Sequence, residues 1–151
     1  MSNRDPLVPL LLAVCVALGG MLAQSHGLPQ GCDLPTLVSV APIKAPGFRI
    51  LIVEESSQRH TLPASQVAIF TSAAITEYAN AKCAKIEGVP EFRVYDPDVP
   101  LTSESETWKE AMAVARTSLP WLICSDGKRG YSGPLPKTVD ETLAILKRYG
   151  G

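Results

Sequence analysis

Leu119-Pro120-Trp121-Leu122-Ile123-Cys124-Ser125-Asp126-Gly127-Lys128 constrains the architecture more than any other stretch of the chain. Trp121 to Ser125 is short, apolar and partly β-branched or aromatic, as suits a buried strand. Asp126-Gly127 is a tight-turn pair, and Pro120 stops any helix arriving from upstream. A strand that runs into such a turn is expected to come back, so Lys128–Gly133 reads as its antiparallel partner.

The pattern extends in both directions. Downstream, Thr138 to Glu141 is a T-x-x-E capping box. It opens a last helix that turns Val139, Leu143 and Leu146 inward, with Gly150-Gly151 beyond its end. Upstream, Ser103 to Glu106 is another box, followed by Trp108, Met112 and Ala115 on one helical face until Ser118-Leu119-Pro120. Before the turn Asp96-Pro97-Asp98, Glu91–Tyr95 alternates with period two and puts Phe92 and Val94 on one face. Pro63 suits a first helical turn, and Val67, Phe70, Ala74, Tyr78 and Ala81 form a stripe that ends at Gly88-Val89-Pro90. Arg49–Glu54 is nearly continuous in apolar character, the mark of a central strand covered on both faces. The expected order is β-α-β-α-β-β-α, an α/β fold without internal repeats.

This order resembles that of the thioredoxin-like superfamily, and the residues from Leu119 to Lys128, then Gly133 and a closing helix, are similar to its C-terminal half. The resemblance covers Phe48–Tyr149 and implies a three-layer sandwich. It makes Pro120 a cis-proline and places a substrate-pairing edge at Leu119, Pro120 and Trp121. The family's redox motif would fall within Glu55-Ser56-Ser57-Gln58-Arg59-His60-Thr61-Leu62-Pro63, where no cysteine occurs. Dithiol exchange needs an activated thiolate at a helix start and a second thiol to resolve the mixed disulfide. The chain therefore resembles a divergent member lacking the CxxC motif.

The N-terminus has a different composition. Leu7–Ala23 is almost wholly apolar, between the roughly 7 to 15 residues of a signal-peptide core and the about 20 of a spanning helix. Residues 1–25 are expected to be a signal peptide or membrane anchor, with Ala23-Gln24-Ser25 as a possible cleavage pattern. Arg4 and the terminal amine favour a cytoplasmic start and an extracytoplasmic domain, membrane-anchored or secreted. The proline-rich residues 26–47 read as a tether and 48–151 as the domain.

The remaining candidates are few. Fourteen Lys plus Arg against 15 Asp plus Glu give a net charge of −1, which supplies no field for nucleic acid. Beyond the leader stand Cys32, Cys83 and Cys124. Cys124 is expected in the core, and a Cys32–Cys83 disulfide is a hypothesis for an oxidising compartment. No metal or cofactor motif is present. Arg59 and His60 precede a helix start, where backbone donors can hold an anion; solvated loop charges are the plainer reading. Glu54 and Glu55, adjacent at a strand end, are expected to point apart or face water. Trp108 is expected in the core, whereas Trp121 either borders a groove with Leu119, Tyr131 and Leu135 or is buried. The expected function is a non-catalytic, thioredoxin-like protein-binding or scaffolding module. The alternative is an atypical thiol-disulfide oxidoreductase using Cys83 or Cys32.

Overall fold

A computed structural model describes residues 40–151. The leader, most of the tether and Cys32 lie outside the described residues.

Strand β1 (Arg49–Val53) is buried along its whole length, as its unbroken apolar run requires. A 3₁₀ turn (Ser56–Thr61) and helices α1 (Ala64–Phe70) and α2 (Ala73–Lys82) come next. A two-residue hairpin, β2 (Lys85–Ile86) with β3 (Val89–Pro90), leads into β4 (Phe92–Tyr95). Helix α3 (Glu106–Ala113), strands β5 (Trp121–Ser125) and β6 (Gly130–Pro134) and helix α4 (Val139–Gly150) complete the order. The main sheet runs β4-β1-β5-β6; β1 and β4 are parallel, and β5 is antiparallel to both β1 and β6. The described residues are thus mixed α/β, with one four-stranded sheet and four helices.

Strand parity divides the core between the two faces of the sheet. Ile50, Ile52, Leu122, Cys124 and Tyr131 pack with Ile69, Ile75, Ala79, Leu146 and Tyr149 from α1, α2 and α4. Leu51, Val53, Trp121 and Ile123 face the other way and pack with Trp108, Ala111 and Met112 of α3. Burying two Trp and several Leu, Ile and Val side chains, at about 1.5–3 kcal/mol for each of the aliphatic ones, is the main favourable term.

The structure corrects several sequence expectations. The single helix expected after Pro63 is two, because Ser72 accepts a hydrogen bond from Ile75 N (3.3 Å) and starts α2 afresh. Gly88-Val89-Pro90 belongs to the small hairpin rather than to a helix end. Ser103 does not cap α3; it lies in a turn, Ser105 is the N-cap, and Trp108 is thereby brought to the core. The helix ends at Ala113, where Arg116 Nη1 donates to Met112 O (2.8 Å), so Ala115 is exposed beyond it. Gly150 is the last residue of α4 rather than beyond it. The box at Thr138 forms in shifted guise: Thr138 Oγ1 accepts from Glu141 N, while the Glu141 carboxylate accepts from Lys137 N.

Packed structure also starts ahead of Phe48. Ala41 and Ile43 are buried, and Ile43 joins the α3-side core. Ser125 Oγ donates to Ile43 O (2.7 Å), clasping this segment to the β5–β6 hairpin. Gly130 permits the approach, since a Cβ there would lie 2.4 Å from Pro42 Cδ. Beside it, Arg49 donates to the carbonyls of Ala45, Pro46 and Gly47 and to Glu91 Oε2 (3.3 Å). Glu91 also accepts from Arg93 (3.2 Å), and the Arg93 guanidinium lies 5.4 Å from the Trp108 ring centre.

Candidate functional site

Val53 ends β1 opposite Trp121, which begins β5. The segment leaving β1 and the segment entering β5 must therefore meet at one end of the sheet. The 3₁₀ turn is held there from both sides. Glu55 accepts from Ser57 N and Oγ (3.3 and 2.6 Å), and Asp96, just past β4, accepts from Ser56 N and Oγ (2.7 and 3.1 Å). Between this turn and Leu119–Pro120 lies a cleft of about 100 Å³. Glu54, Glu55 and Gln58 supply its polar side, and Leu62, Leu119 and Pro120 its apolar side. On the outer flank of the turn, a broad depression of about 590 Å³ is bordered by Arg59, His60 and Val67. It is mostly open to solvent, so the smaller cleft is the better enclosed site.

The charged group at the cleft floor is one that sequence reading undervalued. Glu54 and Glu55 do point apart, but Glu54 points inward and is only 2% exposed. Arg59 grips it with two hydrogen bonds, from Nε to Oε2 (3.0 Å) and from Nη2 to Oε1. That geometry is the bidentate fork a guanidinium makes with a carboxylate. Hydrogen bonding to Glu54 raises the Arg59 pKa above its ordinary value. Arg59 also stacks 4.9 Å from the Phe70 ring centre, while its side chain stays 41% exposed. The available signal was an arginine five residues after an acid that ends an otherwise apolar strand.

Leu119 is 40% exposed, and among the described residues no backbone hydrogen bond engages it. The Leu119–Pro120 peptide bond is cis, and Pro120 O accepts from Leu135 N (2.9 Å). Pro120 and Trp121 are buried. Trp121 Nε1 donates to Ser132 Oγ (2.9 Å), so its indole N–H is satisfied internally. Tyr131 and Leu135 belong to the opposite face of the sheet, so no groove joins them to Trp121. Of the three edge residues, only Leu119 presents its side chain.

The structure thus brings the Arg59 turn and the Leu119–Pro120 edge together, with no sulfur of the described residues between them. His60 is exposed on the outer side of the turn. Cys83 caps α2 and is buried; burial above all, with Glu91 adding to it, pushes its thiol up to about 12. Burial likewise pushes the Cys124 thiol up to about 12 within β5. Among the described residues no three His, Cys, Asp or Glu side chains converge to hold a metal ion. None of their helices is long and apolar enough to cross a membrane.

The chain matches no family model, no curated protein and no solved structure.

Proposed function

We propose that the chain is a divergent thioredoxin-like module that binds a protein partner at the Leu119 edge and carries out no dithiol exchange. The observation that carries this reading is the cleft itself. A polar, thiol-free turn after β1 lies against an exposed Leu119 whose backbone is available for pairing. An extended segment can dock on such an edge by main-chain hydrogen bonds, with the adjoining cleft reading one of its side chains. Support for the family part is the β4-β1-β5-β6 order with a parallel β1/β4 pair and helices on both faces, the arrangement the resemblance implies. In the same proposal the module lies on the extracytoplasmic side, anchored or released, a reading supported by the apolar composition of Leu7–Ala23.

The thiol-enzyme alternative is less well supported. A thiol held near 12 is almost wholly protonated at neutral pH, and the thiolate is the nucleophile. The test is affinity capture with the full-length protein from its native membrane fraction, comparing wild type, Leu119→Glu and Cys83→Ala. Partners retained by wild type and Cys83→Ala but lost by Leu119→Glu are the expected result. Retention by all three refutes the edge, and insulin reduction abolished by Cys83→Ala refutes the non-redox assignment.

A further inference from the structure

We propose that the cleft beside Leu119 is a pocket for the side chain of a lysine in the partner's extended segment. The inference rests on the partner reading above and specifies the chemistry that the partner must present.

The size of the cleft sets the first limit. About 100 Å³ is well below the roughly 300–1,000 Å³ of small-molecule and cofactor sites, so it accommodates one side chain. The distribution of groups sets the second. Leu62, Leu119 and Pro120 supply apolar surface, and Glu54, Glu55, Gln58 and Thr61, whose side chains carry acceptor oxygens, line the same space. Among the described residues two carboxylates line this space and no cation does; Arg59 approaches Glu54 from the flank that faces the broad depression. The Thr61 hydroxyl hydrogen is committed to Gln58 O (2.8 Å), which leaves the hydroxyl oxygen to accept.

A lysine matches this division. Its methylene stem lies along apolar surface while its ammonium group, a donor without acceptors, seeks oxygens. A norleucine would leave the oxygens without a new partner, and a glutamate would meet like charge. Glu55 supplies the charge that matters most, because Arg59 already compensates Glu54. Among the described residues the Glu55 carboxylate is engaged only with Ser57, whose N–H and hydroxyl leave it further lone pairs.

The experiment uses short, extended, β-branched peptides that are identical except for a central lysine, norleucine or glutamate. Binding to the full-length protein in detergent is followed through the amide resonances of Leu62 and Leu119. The lysine peptide is expected to bind about two- to fivefold more tightly than the norleucine peptide, the range of one partly exposed ion pair. Glu55→Gln retains an oxygen for Ser57 but removes the charge, and it should erase this preference, as should high salt. Equal binding of the lysine and norleucine peptides, with shifts at Leu119, overturns the lysine pocket and leaves the partner reading intact. Tighter binding of the glutamate peptide, or a preference that survives Glu55→Gln, also overturns it. If no peptide shifts Leu62 or Leu119, the pocket is refuted, and capture with Leu119→Glu then decides separately whether the edge binds any partner.

Discussion

The two ends of β1 carry the same chemistry in opposite settings. At the Arg49 end, Glu91 is 1% exposed and lies between two guanidiniums, one of which also holds three backbone carbonyls. At the Val53 end, Glu54 is as deeply buried, yet Arg59, its one side-chain partner among the described residues, is 41% exposed and a cleft adjoins the pair. The first end is closed by the 40–47 segment and by Trp108; the second is left accessible. A glutamate–arginine pair therefore does not by itself mark a site. What distinguishes the two is whether neighbouring chain seals the carboxylate or leaves room beside it.

The largest effect expected from this contrast is at the closed end. Glu91→Ala strands Arg49, itself 8% exposed, without its carboxylate and should cost about 3–5 kcal/mol in urea unfolding. A loss under about 1 kcal/mol would mean that water reaches this end too.

The sealed thiols give a second, pH-dependent expectation. Cys83 and Cys124 keep their protons to about 12 when folded, against an ordinary value of 9.0. Between these values the unfolded chain has lost protons that the native state retains, so stability is full below about 9 and falls as pH rises towards 12. By pH about 10 the two thiols together account for a loss on the order of a few kcal/mol. Replacing both cysteines by alanine should flatten this alkaline decline, and labelling with a thiol reagent at pH about 8 should require unfolding.

Arg59→Ala is expected to cost less, about 1 kcal/mol, because its half-exposed guanidinium is screened and water can enter the cleft to solvate Glu54. A cost approaching that of Glu91→Ala would erase the distinction between the ends. Leu119→Glu should be the mildest, within about 0.5 kcal/mol of wild type in the same measurement, while still abolishing partner binding.

Much of the architecture was legible because its signals are local. Arg49–Val53 and Trp121–Ser125 announce buried strands by composition, Asp126-Gly127 announces the hairpin, and Thr138 announces α4. Boundaries failed where tertiary contacts chose between local options. Ser103 and Ser105 both offer a cap, and the serine that buries Trp108 prevails. Ile43 sits among prolines that read as a tether, and its burial depends on a hairpin far along the chain. The site was legible only in outline. The turn at Arg59 and the edge at Leu119 could each be singled out, but their meeting depends on the Val53–Trp121 register. Glu54 can be singled out, but only as one of two adjacent acids expected to point apart or face water; its burial depends on the returning Arg59, which the local sequence does not pair with it.

The clasp between Ile43 and Ser125 also has a practical side. Ser125 pairs with Arg49, at the pole opposite the one where Val53 and Trp121 meet, so the polypeptide comes into the domain on the far side from Leu119. A purification handle or fluorescent protein spliced in ahead of Val40 should thus leave the cleft mouth unobstructed, whereas an insertion between Ser118 and Leu119 would block it.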